Sequence, residues 1–263
     1  MSPFAALIWG GFRRHTTYRQ ATWAAAFTNS VFGFLKCYLL FAVLGGGPEA
    51  AGYDAEQLAT FVWVGQGLLG IVLLWGWTDL ADRVRTGDVA ADLLRPVRPL
   101  WSFLAGDLGR AGHATFTRLL VPVAVGAVFF DLYAPRRLVT YPFAAISVLL
   151  AVVVSFSVRY LVNLTAFWLL DVRGVVTAWM IAGNVLTGLT VPLPFFPGWA
   201  QALLWATPFP WMFQAPLDIL IERGGAGHQA LLVAGQTGWV AALLGCCLLA
   251  ERRAVRRLVV QGG

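Results

Sequence analysis

Three positively charged side chains stand inside otherwise apolar stretches of the sequence. Lys36, Arg118 and Arg159 each interrupt a run that is long enough to enter a membrane. A charge at the centre of a spanning helix costs about 2.5–3.5 kcal/mol on insertion scales, so it usually serves a polar pathway or pairs with a neighbour. Lys36 and Arg159, together with Asn163, are therefore candidate residues of a transport path or an anion contact. Pairing between helices, or snorkelling of the long side chains, is the alternative.

The sequence shows no constellation that is typical of catalysis or of metal binding. It contains no phosphate-binding G-x-x-x-x-G-K-[ST] loop, no H-E-x-x-H pair and no G-x-S-x-G elbow. The three histidines fall in separate segments, and the three cysteines lie in apolar runs, where they act as small packing residues. We therefore expect no catalytic residue, no metal site and no cofactor bound by this chain.

The composition indicates that the chain is solvated by lipid. Hydrophobic residues make up 59% and charged residues 12% of the 263 residues, and the mean hydropathy is +0.71. Soluble domains carry roughly 45–50% apolar and about 25% charged residues. The net charge of +6 comes from arginines that lie mostly between apolar runs, which favours the positive-inside bias over nucleic acid binding. We expect a single all-α integral membrane domain over residues 1–263.

Apolar runs of the length that a spanning helix needs, about 20 residues, recur from end to end. Six transmembrane helices are predicted, at residues 21–44, 58–77, 114–130, 141–170, 175–193 and 231–249. The third is the weakest of them, because Arg118 and Pro122 lie inside it. An even number of spans places both ends of the chain on the same side of the membrane.

The arginines between the predicted spans set the orientation. Most of them fall on the side of both termini, whereas Arg136, Arg137 and Arg223 fall on the other side. Because short loops rich in Lys and Arg stay in the cytoplasm, both termini are predicted to be cytoplasmic. The loop at residues 45–57 agrees, since it carries acidic residues and no cation.

Residues 3–19 have the pattern of an amphipathic helix. Apolar side chains recur at helical spacing from Phe4 to Phe12, and Arg13 and Arg14 follow. Basic residues at the end of such a helix contact lipid head groups, so we expect an interfacial helix on the cytoplasmic leaflet, with membrane lipid as its partner. A frayed terminus is the alternative.

The predicted cytoplasmic loop at residues 78–112 contains the signal of a short helix. A break at residues 86–88 offers a helix cap, residues 89–95 make about two turns, and Pro96 ends the helix. The spacing gives this helix one apolar face, formed by Val89, Ala90, Leu93 and Leu94. Such a helix suits docking into a groove of a soluble partner, and a helix that rests on lipid is the alternative.

The segment at residues 192–229 is apolar, although the predicted topology places it outside. It holds six of the 13 prolines and several aromatic residues. Proline ends helices and tryptophan favours the membrane interface, so we predict two short helices that dip into the outer leaflet, joined by proline-rich turns. This re-entrant outer segment is marked by Pro192, Pro194, Pro197, Trp199, Pro208, Phe209 and Pro216.

Three stretches of the sequence resemble the type-two ABC exporter permeases, the membrane half of bacterial ATP-driven exporters. They are RTGDVAADLLRP at residues 85–96, FWLLDVRG at 167–174 and VPLPFFPGW at 191–199, the last followed by Thr207-Pro208-Phe209 and Ala215-Pro216. The resemblance is narrower to a bacterial six-span subgroup without a fused ATPase, and it extends in order over almost the whole chain.

The resemblance implies a fold and a mechanism. Such permeases have an interfacial helix, six spans, a cytoplasmic coupling helix between the second and third spans, and re-entrant helices before the last span. The coupling helix fits a cleft on a separate P-loop ATPase subunit, which binds ATP and magnesium. Two copies of that subunit serve a dimer of permeases, identical or paralogous, in the bacterial cytoplasmic membrane, and export a substrate. The coupling contact would be Gly87, Asp88, Val89, Asp92, Leu93, Leu94, Arg95 and Pro96.

Three other classes of function stay open. An ion-driven secondary transporter needs paired carboxylates within its spans. The aspartates that we expect at or near span ends instead are Asp79, Asp82, Asp107, Asp131 and Asp171. A membrane-embedded enzyme needs a polar cluster near one membrane face, and the sequence shows none. A non-transporting anchor would use the cytoplasmic helix only to hold a soluble partner.

Overall fold

The computed structural model describes residues 2–16, 19–43, 52–74, 76–169 and 171–257. Over these residues the chain is helical and has no strand. The α-helices are α1 (Pro3–His15), α2 (Arg19–Val43), α3 (Ala55–Val72), α4 (Asp79–Thr86), α5 (Val89–Leu93), α6 (Pro99–Ala114), α7 (Leu120–Phe129), α8 (Thr140–Leu164), α9 (Arg173–Leu186), α10 (Gly198–Trp205), α11 (Gln214–Leu220) and α12 (Ala226–Val255). A π-turn, Thr115–Leu119, joins α6 to α7 without a break.

Some predicted features fall outside the described residues. They are residues 17–18 of the interfacial helix, residue 44 at the end of the first span, most of the acidic loop (45–51), residue 75 of the second span and residue 170 of the fourth.

Within the described residues, five helical stretches are long and apolar enough to cross a membrane: Ala24–Ala42, Ala55–Val72, Pro99–Phe129, Thr140–Phe167 and Ala226–Val255. They correspond to the first four predicted spans and the sixth. The predicted fifth span, 175–193, overlaps α9, which begins two residues earlier and has 14 residues. A helix of that length extends about 21 Å, less than the roughly 30 Å of a hydrocarbon core. The six-span layout is therefore not confirmed.

The predicted loop at residues 78–112 is wrong in its second half, because α6 already begins at Pro99. The hydropathy of the sequence disfavoured a membrane helix that starts at Pro99, because Asp107 and Arg110 interrupt the apolar run. The two side chains form an ion pair of 2.7 Å, and Arg110 also donates to the carbonyl groups of Gly70 and Ile71 at 2.7 Å each. Pairing removes most of the cost that hydropathy assigns to each charge separately.

The last helix is longer than the predicted 231–249 and packs along α8. Glu251 near its end accepts hydrogen bonds from the Leu100 N–H at 3.1 Å and from the Tyr160 hydroxyl at 2.6 Å. The Leu100 N–H is one of the free donors in the first turn of α6, so this carboxylate caps α6 from a distant part of the chain.

The central helix of the bundle is α3. It contacts α2, α6, α7, α8 and α11, and most of its side chains are buried. The buried Trp63 ring packs edge-on against Phe34, with ring centroids 5.0 Å apart, and against Phe130 at 5.8 Å. Because α3 touches so many neighbours, groups that hold its ends position much of the bundle.

The outer segment contains two short α-helices, as predicted, namely α10 and α11. Pro192 and Pro197 stand directly before a 3-10 turn and α10, respectively, and Pro216 lies within α11. Proline needs no N–H partner at such starts, which explains why helices begin there. That these helices re-enter the membrane stays a prediction.

The predicted interfacial helix is present as α1, which packs lengthwise against α6. The two backbones touch at Gly11 and Gly109. A Cβ at Gly11 would lie 2.5 Å from the Gly106 carbonyl oxygen, and a Cβ at Gly109 would overlap the Ile8 carbonyl oxygen. Close approach through small residues is typical of helix pairs in membranes. The position of α1 on the lipid stays a prediction.

We expect Gly109→Ala to loosen α1 from α6 and to lower the free energy of unfolding by about 1–3 kcal/mol, because the added methyl group meets backbone atoms. Gly106→Ala is the matched control, since a Cβ there has nothing within 4 Å. Thermal unfolding of the purified protein in detergent measures both variants. Equal midpoints for the two would contradict this packing.

Candidate functional site

The coupling segment, residues 79–96, connects α3 to α6, and we call the end of the bundle where it lies the coupling end. Its first helix, α4, stops at Gly87, which has a φ of +83°. Only glycine adopts this conformation without strain. The predicted break at residues 86–88 is therefore present, and Gly87 directs the chain into α5.

The predicted cap of the second helix is wrong. Asp88 makes no side-chain bond to the start of α5, and its carboxylate accepts a hydrogen bond from the Thr86 hydroxyl at 2.8 Å. The helix itself has five residues instead of about two turns. Since so short a helix is unstable alone, it depends on what its side chains contact.

The predicted apolar face of this helix is divided between two sides. Val89 is only 2% exposed and packs in a cluster with Leu80 and Leu100. Leu94 is 89% exposed, and Leu93 is partly exposed. The prediction that Val89, Ala90, Leu93 and Leu94 form one apolar face is wrong, because Val89 is a core residue. Leu94 is a large apolar side chain that projects from the end of α5, which we call the tip.

The buried side chain of Asp92 holds the tip through ion pairs. Its side chain is 8% exposed and forms ion pairs with Arg83 and, at 3.5 Å, with Arg95. The pairs connect α4 to the residues that follow α5, so the backbone below Leu94 is held at two points. Beside them lies a cavity of about 420 Å³ whose charged lining includes Arg14 of α1 and Asp79.

Asn163 on α8 holds the start of the coupling segment. Its Oδ1 accepts from the Ala81 N–H at 3.1 Å, and its Nδ2 donates to the Trp77 carbonyl at 3.0 Å. Both contacts are to backbone. A buried amide that bonds backbone on two sides fixes the position of that backbone more strictly than apolar packing does.

One turn earlier on α8, Arg159 completes a buried charge network. Its guanidinium donates to one carboxylate oxygen of Asp107 at 2.8 Å, and Arg110 pairs with the other oxygen. Ser155 donates to the Leu73 carbonyl at 3.1 Å, so α8 also holds the end of α3. The network joins α3, α6 and α8 and carries two positive charges against one negative charge.

Lys36 lies apart from this network. Its ammonium group donates to the Leu189 carbonyl at 2.9 Å, just beyond the end of α9, where Gly188 has a φ of +85°. A cation near a helix C-terminus is favoured by the helix dipole, and this one satisfies a carbonyl that the interrupted helix leaves free. The structure thus brings Arg159 and Asn163 together and places Lys36 elsewhere. That any of them lines a transport path stays a prediction.

Residues 183–195 run along the length of α3. A Cβ at Gly183 would lie 3.9 Å from the Cβ of Leu74, beyond the coupling end of α3. The Phe195 ring stacks on Tyr53, just before the opposite end, with centroids 6.4 Å apart. The chain passes between these two levels through α9 and the turns around Gly188.

The outer segment is tied to α9 and to the start of α3. Phe209 stacks on Trp179 of α9 with centroids 5.5 Å apart. The buried Gln214 donates to the Tyr53 hydroxyl at 2.8 Å and accepts from the Leu193 N–H at 3.1 Å. Of the predicted outer residues, Pro192, Pro194, Phe209 and Pro216 take part in this packing region, Pro208 is half-buried, and Pro197 and Trp199 are exposed.

Glu222 lies at the end of the bundle opposite the coupling segment, where it holds the chain that leads into α8. It accepts hydrogen bonds from the Thr140 hydroxyl at 2.6 Å, and from the Arg137 N–H and the Tyr133 hydroxyl at 2.8 Å each. Burial raises the pKa of this carboxyl, but the hydrogen bonds outweigh it and lower the pKa to about 2.

The sequence reasoning missed Asp107, Arg110 and Glu251. The spacing of three residues between Asp107 and Arg110 was a usable signal, because it permits an ion pair within one helix. Nothing local indicated that Arg159 would add to that pair or that Glu251 would cap α6.

We expect Asp107→Asn to destabilise the protein by about 3–5 kcal/mol, because it leaves Arg110 and Arg159 buried without a counter-charge. Asp171→Asn is the control. Asp171 pairs with Arg173 at 2.9 Å, but its side chain is 56% exposed, so loss of this pair should leave the melting temperature nearly unchanged. Thermal unfolding in detergent distinguishes them, and similar midpoints would contradict the role of Asp107.

We expect Asn163→Ala to speed amide hydrogen exchange in residues 77–95, since the Ala81 N–H and the Trp77 carbonyl lose their buried partner. The free energy of local opening should fall by about 1–3 kcal/mol. Asn184→Ala is the control, because that amide donates to Met180 within its own helix. Exchange in the coupling segment that matches the wild type would refute this anchoring.

The comparison with protein families identifies the chain. The family described as ABC-2 family transporter protein matches residues 27–262, which include the coupling segment, the charge network and the outer segment. No curated protein matches the chain significantly. With five helical stretches able to cross a membrane, the chain is a multi-pass membrane protein. It belongs to the ABC-2 transporter family, as the resemblance of its motifs predicted.

Proposed function

We propose that the chain is the permease subunit of an ABC exporter and moves an unidentified substrate with ATP hydrolysed by a separate P-loop ATPase. The observation that carries this proposal is the position of Leu94. Its side chain is exposed, whereas the backbone that bears it is held by buried contacts. A large apolar side chain in such a position favours docking into a groove of a soluble partner. The partner would bind ATP and magnesium, and this chain would bind no cofactor.

Rigidity of the tip distinguishes a mechanical contact from a simple adhesive patch. Asp92 holds Arg83 and Arg95, and Asn163 holds the backbone where the segment begins. A displacement at Leu94 therefore moves the ends of α3 and α8 rather than a flexible loop. The membrane helices respond to ATPase closure through these contacts.

Both chain ends support the predicted orientation. The first helix, α1, contributes Arg14 to the cavity beside the coupling segment, and Glu251 near the end of α12 bonds Leu100 next to the same segment. Arg14 of α1 and Glu251 of α12 therefore both lie at the coupling end. We propose that this end faces the cytoplasm, with the protein in the bacterial cytoplasmic membrane, as the positive-inside bias indicates.

We propose that residues 173–195 make the sixth crossing as an interrupted helix. The contacts of Gly183 with Leu74 and of Phe195 with Tyr53 support this course. Irregular backbone at membrane depth requires internal partners, and Lys36 supplies one at Leu189. Six crossings in one chain are few for a pathway, so the exporter would contain a second permease, identical or paralogous, and two ATPase copies.

The structure weakens the ion-driven alternative for a reason that differs from the sequence argument. Asp107 lies within the stretch Pro99–Phe129, one turn before Arg110, which contacts the last turn of α3. Its carboxylate is held by Arg110 and Arg159. A transported cation could bind there only by displacing an arginine, so Asp107 is a poor ion site. The anchor alternative does not account for the rigid link from Leu94 to the spans.

We expect Leu94→Asp to abolish recovery of a P-loop ATPase when the chain is purified from its native membrane in mild detergent. A carboxylate at the tip would be buried without a partner in an apolar groove. Because Leu94 is 89% exposed, the variant should fold normally. The matched control is Leu138→Asp, since Leu138 is 86% exposed and lies before α8, at the opposite end of the bundle.

Mass spectrometry of the co-purified proteins gives the result. Wild type and Leu138→Asp should both retain the ATPase. Wild-type protein of normal yield and melting temperature that brings no ATPase would overturn the proposed function. Equal recovery with Leu94→Asp would place the contact elsewhere on the coupling segment.

A further inference from the structure

We propose that His15, His113 and Arg118 together line a notch that binds the phosphate group of an anionic phospholipid. The notch lies between the end of α1 and the π-turn that joins α6 to α7. Its charge and its position at the edge of the apolar bundle both favour a lipid head group. The proposal does not depend on the identity of the ATPase or of the transported substrate.

Two histidines form one side of the notch. The His15 and His113 rings lie 6.4 Å apart, between centroids, and Phe12 packs edge-on against His113 at 5.5 Å. The Nδ1 of His15 is 2.9 Å from the Gly11 carbonyl, which can only accept, so Nδ1 carries the proton.

Arg118 forms the other side. Its side chain is half-buried against α3, where a Cβ at Gly70 would collide with it. Among the described residues, its guanidinium has no ion pair and no hydrogen bond. It lies close enough to Arg110 for the two positive charges to repel each other. A half-buried arginine without a counter-charge is costly unless an anion reaches it.

The protein supplies no such anion locally. Asp107 is the one carboxylate in α1, α6, the π-turn and α7, and it is shared by Arg110 and Arg159. Asp107 forms its ion pairs with Arg110 and Arg159, and not with Arg118. Within the described residues, no carboxylate therefore pairs with Arg118.

The position along the membrane favours a lipid as the source. Arg110 contacts the last turn of α3, which marks the edge of the apolar bundle, and Arg118 lies about two turns further in. Helical side chains tilt toward the helix N-terminus, so Arg118 can snorkel back toward that edge. Phe116 and Leu120 beside it are exposed and can contact acyl chains, and the exposed Trp9 suits the interface.

Titration of the purified full-length chain with phosphatidylglycerol tests the proposal, with phosphatidylcholine of the same chain length as the reference. Native mass spectrometry counts the bound lipid, and the melting temperature reports its effect. We expect Arg118→Gln to bind phosphatidylglycerol about fivefold more weakly than the wild type does. Arg98→Gln, which removes an exposed arginine just before α6, is the charge-matched control and should retain the wild-type affinity.

The remaining outcomes are also decisive. Equal binding of both lipids by the wild type, or equal losses in Arg118→Gln and Arg98→Gln, would overturn the proposal. A melting shift produced by inorganic phosphate alone would indicate a site for soluble anions. Loss of a co-purified protein with unchanged lipid binding would indicate a protein partner. If Arg118→Gln fails to fold, His113→Gln provides the same comparison from the other side of the notch.

Discussion

The ion pairs of Asp107 with Arg110 and Arg159 constrain the bundle more than any other contact. Each of the three side chains comes from a buried position, and removal of one partner leaves an uncompensated charge in an apolar environment. Arg110 reaches across to the last carbonyl groups of α3. The relative positions of α3, α6 and α8 are therefore fixed at one level, which is the level from which the coupling segment begins.

The coupling segment is ordered by its contacts with the helices at this level. Asn163 lies one turn beyond Arg159 on α8 and holds the backbone at Trp77 and Ala81. Further along, Val89 enters the core and Asp92 pairs with Arg83. An isolated helix of five residues would not form in water, so the shape of the tip comes from tertiary contacts. Only the outward side chains, Leu94 above all, remain available to a partner.

In the half of the molecule opposite the coupling end, polar side chains bond the backbone groups that are left free where helices are interrupted. The chain leaves helical geometry after α9, and Lys36 accommodates the freed Leu189 carbonyl. Gln214 holds the turn that begins at Leu193, and Glu222 holds the loop before α8. Polar side chains bond irregular backbone at both ends of the bundle, and near the last turn of α3 the ion pairs of Asp107 are added to these bonds.

By itself the sequence determined the all-helical membrane class, most of the spans, the break at Gly87 and the two short helices of the outer segment. These features follow from apolar run length, proline and glycine, which act through the local backbone. The start of α6, the inward side of α5 and the short α9 were decided by tertiary structure. Asp107 and Arg159 are 52 residues apart, and Leu100 and Glu251 are 151 apart. A charge reads as a helix breaker or a loop residue until its distant partner is known, because only the pair, not either residue, is stable in an apolar interior.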